Sequence, residues 1–266
     1  MRCWDKNRLK TESSVVCSQR MKSLSICFFL VLLFALTTCP SCSRSTAQKF
    51  YNAGANKCNI GDYSGAIADC TKAIELNPRY AKAYLVRGTA KDGLEDDVGA
   101  ITDYTKAIEL SPKYQFAYYN RGNAEFNLRN YTNAILDFTK AIELDSQDAA
   151  AYLNRGNACY ALSDYTTAIA DYDMAIKLNP QYAKAYNSRG SAKGHLKQYD
   201  SALADLNKAI EFNPQYAEAH NNRGNAKRGL GDYDGALADY TKAIELNPHY
   251  ANAYTNRDEL RALKRP

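Results

Sequence analysis

Arginine and aspartate recur in this chain at a constant interval of 34 residues. Arg87, Arg121, Arg155, Arg189, Arg223 and Arg257 form one series; Asp69, Asp103, Asp137, Asp171, Asp205 and Asp239 form the other. A planar guanidinium grips a carboxylate through two parallel N–H bonds, so the pattern fits ion pairing better than proton transfer. The first block has Ala53 where the others have arginine, and Arg257 follows the last aspartate. Pairing each aspartate with the arginine of the next block therefore closes the count: Asp69 with Arg87, Asp103 with Arg121, Asp137 with Arg155, Asp171 with Arg189, Asp205 with Arg223 and Asp239 with Arg257. The expectation is a structural ladder between blocks. The competing reading turns these arginines into a groove, where they would hold an acidic ligand.

Little else in the chain resembles catalytic equipment. His195, His220 and His249 are the only histidines, and they fall at three different places of the repeat. His220 stands where Tyr84, Tyr118, Tyr152 and Tyr186 stand in other copies, which suits a packed ring. No Gly-rich phosphate loop, nucleophile elbow or metal-ligand pair is present. The adjacent carboxylates Asp96 and Asp97 lie at an expected turn, where capping accounts for them. Cys58, Cys70 and Cys159 have neither zinc spacing nor the pattern of a disulfide framework. The reading is a non-enzymatic chain with no catalytic, metal or cofactor site.

What positions the arginines is the repeat itself. Six blocks run without insertion: 47–80, 81–114, 115–148, 149–182, 183–216 and 217–250. Within each, apolar and small residues recur at helical spacing in two groups. Asp62, Asp96, Asn130, Asp164 and Asp232 stand where the second helix begins and suit N-caps. Pro78, Pro112, Pro180, Pro214 and Pro248 end it. A fixed period of this length means that each unit buries its apolar face against its neighbours. The fold expected is an all-α solenoid of six helix-turn-helix repeats, closed by a capping helix over 251–266. Thirteen helices are expected from near Ala47 onward. Glycine at the eighth place (Gly54, Gly88, Gly122, Gly156, Gly190, Gly224) and alanine at the twentieth (Ala66, Ala100, Ala134, Ala168, Ala202, Ala236) point to close helix–helix approach.

These residues resemble the tetratricopeptide repeat family. Its pattern has an aromatic at the fourth place, glycine at the eighth, alanine at the twentieth and twenty-seventh, an aromatic at the twenty-fourth and proline at the thirty-second. The eighth, twentieth and twenty-seventh places match in all six copies. The resemblance implies a right-handed superhelix whose first helices line a concave groove for peptides or partner helices. It also implies which places face that groove: Leu85, Phe116, Tyr119, Phe126, Leu153 and Tyr160 as apolar anchors, with Asn120, Asn123, Asn154 and Asn157 beside them. An asparagine amide both donates and accepts, so it can hold a peptide backbone without reading its sequence. Lys184, Asn187, His195, Glu218, Asn221 and Arg228 make the groove polar in the last two repeats. The family's clamp for chaperone tails needs lysine at the fifth place of its first repeat; here that place is Tyr51, and no other copy supplies lysine.

The chain has 266 residues and a formal charge of +5. Residues 1–46 hold seven Lys/Arg against two acidic residues, and the remainder balances 27 against 27. The repeats are therefore neutral and lack the clustered basic face that nucleic-acid binding needs. Ile26–Leu36 is an eleven-residue apolar run preceded by Lys22, too short for a usual span and of signal-peptide length. Met21 opens a compact leader, so residues 1–20 could precede the true start, and 21–43 reads as a signal peptide, lipoprotein leader or membrane anchor. Leu36–Cys39 resembles a lipoprotein cleavage box with Cys39 as the lipidated residue, although Thr38 departs from the usual small residue. Cleavage near Ser43 and a retained short anchor are the alternatives. All three export the repeats and confine any membrane contact to the leader. The sequence thus points to an exported, membrane-tethered scaffold that binds protein or peptide partners of the cell envelope. The rivals are a small-ligand carrier serving a transporter and a self-associating structural protein.

Overall fold

A computed structural model describes residues 40–263, with side chains from Ser43 onward. The leader run and Cys39 lie outside the described residues. Thirteen helices and no strand are found among the described residues. They are α1 (Pro40–Asn59), α2 (Tyr63–Leu76), α3 (Ala81–Asp92), α4 (Asp97–Leu110), α5 (Gln115–Asn127), α6 (Tyr131–Leu144), α7 (Ala149–Ala161), α8 (Tyr165–Leu178), α9 (Ala183–His195), α10 (Tyr199–Phe212), α11 (Ala217–Gly229), α12 (Tyr233–Leu246) and α13 (Ala251–Leu263). The chain is an all-α helical repeat array. Its residues form two compact units, one up to Arg87 and one from Gly88. The first helix already runs from Pro40, seven residues before the first repeat begins.

In the first unit, α1 packs on α2. Ala73, Ile74 and Ala83 form its core, covered by Phe50, Tyr51, Tyr80 and Tyr84. The Cys70 sulfur fills the space over Gly54, where a Cβ would come within 2.6 Å of it, so this buried cysteine does the packing work of an aromatic ring.

In the second unit each first helix packs on the second helix of its own repeat, and that helix packs on the next first helix. First helices of successive repeats also touch (α5 with α7, α7 with α9, α9 with α11, α11 with α13), whereas no second helix packs comparably on another. First helices are therefore the more closely spaced layer and form the inner face. The core between layers is small residues and rings: Ala100, Ala134, Ala168, Ala202 and Ala236 are fully buried, as are Tyr104, Phe138 and Tyr240.

Helix ends follow local chemistry. Asp62, Asp96, Asp164 and Asp232 each accept a backbone N–H three residues on, at 2.9–3.1 Å. Asn130 departs from the expected cap: its amide donates to Glu125 at 2.9 Å and makes no cap bond. Asp148 adds a cap where other copies have tyrosine, accepting from Ala150 and Ala151, and it takes a bond from Gln115. Before the proline turns, Asn77, Asn179, Asn213 and Asn247 accept a backbone N–H two residues on, across the proline. The turn inside each repeat needs one left-handed residue. Glycine supplies it at Gly61 and Gly231, but Glu95, Arg129, Ser163 and Lys197 hold φ of 59–64° there.

The eighth-place glycines mark contact without clearance. A Cβ at Gly156 would lie 2.7 Å from the Tyr172 ring and 3.2 Å from the Ala168 carbonyl, whereas at Gly194 it would meet nothing within 4 Å. Gly156→Ala should destabilise by about 1–3 kcal/mol. Gly194→Ala should stabilise by up to roughly 1 kcal/mol through helix propensity. Urea unfolding of both variants checks the pair, and equal effects would contradict the packing.

Candidate functional site

The arginine series faces inward between the layers, and its geometry differs from the forward ladder expected from sequence. Arg121 grips Asp137 through Nε and one terminal nitrogen at 2.8 and 2.7 Å. Arg155 grips Asp171 at 2.9 and 2.6 Å, Arg189 grips Asp205, and Arg223 grips Asp239 at 2.9 and 2.6 Å. Each carboxylate is therefore held within its own repeat, sixteen residues on from its arginine. The pairings of Asp103 with Arg121, Asp137 with Arg155, Asp171 with Arg189 and Asp205 with Arg223 are replaced. At the ends, Asp69 is bound by Lys57 at 2.8 Å and Asp103 by Lys91 at 2.8 Å. Asp239 is further held by Lys227, and Arg257 turns to Asp258 at 3.0 Å. Asp69–Arg87 and Asp239–Arg257 thus give way as well.

The reason is helical geometry. In an antiparallel hairpin the twenty-third place faces back onto the first helix of the same repeat. The twenty-fifth place, about 200° around the helix, faces the next one. The remaining guanidinium nitrogen does cross to that place. Arg87 reaches Thr71, Arg121 reaches Thr105, Arg155 reaches Thr139, Arg189 reaches Asp173 and Arg223 reaches Asn207. Four of these arginines also lie over the ring three places earlier, at 5.4–5.8 Å from Tyr84, Tyr118, Tyr152 and Tyr186. Fully committed in this way, they are structural. Around Asp239, burial alone would raise the carboxyl, but the nearby His220 ring and the bonds from Arg223 and Lys227 outweigh it and hold it below the usual carboxylate range. His220 is buried with Nδ1 3.7 Å from Asp239, and Nε2 lies 3.3 Å from the Pro214 carbonyl.

The residues expected in the groove all lie on first helices, and many are tied to one another. Asn154 donates to the Tyr119 hydroxyl (3.1 Å) and to Asn123 (2.9 Å), which uses both of its amide protons. Asn120 donates to Thr89 at 3.4 Å, Asn222 to Asn187 at 3.0 Å and Asn256 to Asn221 at 2.9 Å. Asn157 accepts from Tyr172 at 2.9 Å. Apart from Asn157, whose bond stays within its own repeat, the asparagines are thus rungs between repeats. Phe138 lacks the hydroxyl that Tyr172 and Tyr240 use on their ninth-place asparagines, and Asn154 supplies the missing donor to Asn123 instead. Tyr119 meets Phe138 edge-on at 5.9 Å, Phe116 is exposed near Tyr114, and Leu85 is half-buried in the first unit.

Phe126, Leu153, Asn157 and Tyr160 line one cavity of about 550 Å³. Lys184, Asn187, Ser191, Tyr216 and Glu218 close its other side. Leu153 is almost fully covered and forms its floor. A second pocket of about 140 Å³ adjoins it, lined by Asn123, Phe126, Asn154 and Asn157 among others. Asn187 is buried and bonds Tyr216 and Glu218 at 3.2 Å, so these two walls are fixed together. Sequence reasoning set Lys184, Asn187 and Glu218 apart as the polar half and passed over Tyr216, which recurs as a junction tyrosine at Tyr80, Tyr114, Tyr182 and Tyr250. Nothing in that recurrence separates Tyr216 from its four counterparts.

In the second repeat, two carboxyls replace the aromatic pair that stands at the same places in the third and fourth. Asp92 bonds Asp97, and Asn127 donates to Asp97 at 3.1 Å. Burial, then the hydrogen bond and charge of Asp97, push Asp92 up to about 6. Among the described residues no group of three or more His, Cys, Asp or Glu side chains is placed to hold a metal, and no helix is long and apolar enough to cross a membrane.

Models of the tetratricopeptide repeat match residues 119–183 and 217–250, and a TPR repeat model matches 195–230. These stretches carry tetratricopeptide repeats. No curated protein matches it. Among solved structures it is similar to YrrB, a TPR protein described as having an unusual peptide-binding site, at 25% identity over 71% of this chain and 97% of that one, with a TM-score of 0.59. It is similar to MamA at 28% identity over 64% of this chain and 93% of that one, TM-score 0.57. A tetratricopeptide repeat protein of Parabacteroides merdae shares the fold, with a TM-score of 0.71 at 19% identity over 83% and 87%.

Two outcomes follow from this geometry. Arg155→Ala and Asp171→Ala should each cost on the order of 3 kcal/mol, and the double variant much less than their sum. Arg155→Ala with Asp137→Ala should add, and denaturant melts separate the two cases. Folded Asp92 keeps its proton to about pH 6, whereas the unfolded carboxyl loses it near pH 4. The folded chain therefore binds more protons in that window, and stability falls as pH rises through it. Discounted for its half-exposed position, Asp92→Asn should gain on the order of 1 kcal/mol at pH 8 and nothing at pH 4. Thermal melts at both pH values decide it.

Proposed function

We propose that the chain is a non-catalytic scaffold that binds an extended segment of a protein partner along the inner face of its second unit. The 550 Å³ cavity carries this reading. It joins rings and an aliphatic floor (Phe126, Leu153, Tyr160) to polar walls (Asn157, Lys184, Glu218). A few convergent polar groups around an apolar floor are what ligand pockets require. Asn157 has its carbonyl held by Tyr172, which fixes the amide plane and leaves its N–H groups for a ligand carbonyl. Lys184 and Glu218 bring both signs of charge to the wall facing Phe126, which favours a zwitterionic or amide-rich guest over an anion. The peptide-binding site named for YrrB, a protein of similar repeats, agrees with this class of ligand. The basic, apolar leader supports export and tethering to a membrane, with Cys39 as the candidate lipidation site and envelope proteins as the partners.

The test uses the full chain against a displayed random-peptide library. Phe126→Ala with Tyr160→Ala should lose at least tenfold in affinity for the selected peptides while keeping its helical circular dichroism. Leu136→Ala, at an exposed place on a second helix, should bind like the parent. Selected peptides that bind the double variant and the parent equally would overturn the placement.

A further inference from the structure

Twelfth-place and seventeenth-place side chains meet at the end of each hairpin in the third and fourth repeats. Phe126 lies edge-on to Tyr131 at 5.2 Å, and Tyr160 edge-on to Tyr165 at 5.3 Å. Tyr165 has a second neighbour from the following repeat: His195, at the thirteenth place, stacks on it at 4.8 Å and 12°. His195 is also edge-on to Tyr160 at 5.4 Å, which completes a three-ring cluster.

The next repeat keeps the tyrosine and loses both neighbours. Tyr199 stands where Tyr165 stands, but the twelfth place is Gly194 and the thirteenth place of the following repeat is Gly229. A pocket of about 370 Å³ opens there, lined by Ser191, Gly194, Tyr199, Asn225, Arg228 and Gly229 among others. A Cβ at Gly194 would meet nothing within 4 Å, so the space at the twelfth place is open. At Gly229 a Cβ would lie 2.5 Å from the Tyr199 ring, so that ring rests against bare backbone. The pocket is thus the hole left by a ring that the third and fourth repeats possess.

We infer that this pocket receives an aromatic side chain of the bound partner, tyrosine or phenylalanine, in the place of the missing ring beside Tyr199. The inference rests on the inner face being the binding surface and adds the anchor that a partner must carry. The Tyr160–Tyr165–His195 cluster shows the arrangement that the guest would rebuild. An aromatic guest suits the walls better than an aliphatic one. Tyr199 offers a ring edge or face, and the Arg228 guanidinium, held by Glu259 at 3.3 Å, offers a cation at the rim. Asn225 has its carbonyl occupied by the Tyr240 hydroxyl at 2.8 Å, so its N–H groups can meet a phenol oxygen. Ser191 lines both this pocket and the larger cavity, so one extended segment can reach both.

Titration of the isotopically labelled full chain with N-acetyl-tyrosinamide, N-acetyl-phenylalaninamide and N-acetyl-leucinamide tests this. The aromatic amides should shift the backbone signals of Gly194, Tyr199 and Gly229 saturably, and bind at least fivefold tighter than the leucine amide. Gly194→Phe, which refills the hole as Phe126 does in the third repeat, should abolish those shifts. Tyr199→Leu keeps the apolar volume and should erase the preference for aromatic probes. Equal binding of the leucine amide, or unchanged shifts in Gly194→Phe, would overturn the inference. The two readings also separate with a selected peptide. Binding lost in Phe126→Ala with Tyr160→Ala but kept in Gly194→Phe sinks this pocket and spares the scaffold, whereas binding kept in both sinks the scaffold as well.

Discussion

One side chain per repeat ties the second unit of this protein together: the arginine at the seventh place. Its fork holds the aspartate of its own hairpin, and its remaining nitrogen reaches the last helix of the repeat before, at Thr105, Thr139, Asp173 or Asn207. A single planar group therefore fixes both the hairpin angle and the stacking of neighbours. Lysine could not do this, because its ammonium is one point on a flexible stem. The arrangement also explains why Asp137, Asp171, Asp205 and Asp239 tolerate burial: each is met by two guanidinium N–H groups, and by a lysine besides at Asp205 and Asp239. Where the first repeat has Ala53, Lys57 meets Asp69 from the next turn of the helix.

Around that tie, packing and polarity divide the layers. The eighth-place glycine admits a ring from the facing helix: Gly88 takes Tyr104, Gly122 takes Phe138, Gly156 takes Tyr172 and Gly224 takes Tyr240. The ring's far end then sits near the inner face. Where it carries a hydroxyl, Asn157 or Asn225 receives it. Asparagines on successive first helices are drawn together, and that draws the first helices closer than the second. The inner face is consequently a row of amides and rings whose geometry is fixed from within. A guest bound there as proposed would meet a surface that has already lost its conformational freedom, which lowers the cost of ordering it on binding.

Departures from the repeat make this face individual. Asp92 and Asp97 replace an aromatic pair with two carboxyls that repel when both are charged. Gly194 and Gly229 remove two side chains that would wall Tyr199. Each departure is local, because a repeat touches only its neighbours, so one hairpin can change without disturbing the rest.

The period of 34 residues, the helical spacing of apolar residues and the proline turns were sufficient to read the all-α repeat class, the hairpin in each block and the small residues at close contacts. Those features are local or repeat identically, and translation along the chain preserves them. The arginine and aspartate series were visible too, but their pairing was not. Counting residues favoured a forward ladder, whereas the direction in which a twenty-third-place side chain leaves its helix sends it back to its own repeat. Likewise Phe126, Leu153, Asn157 and Tyr160 were legible as inner-face residues, while Tyr216 was hidden among identical junction tyrosines. That Asn154 would spend its protons on Tyr119 and Asn123, and that Lys184 and Glu218 would face Phe126 across one cavity, depended on how far apart the stacked helices stand and how they are turned. Sequence spacing fixes angles along one helix, but distances between helices are set by the rings and glycines packed between them, and only the assembled layers decide those.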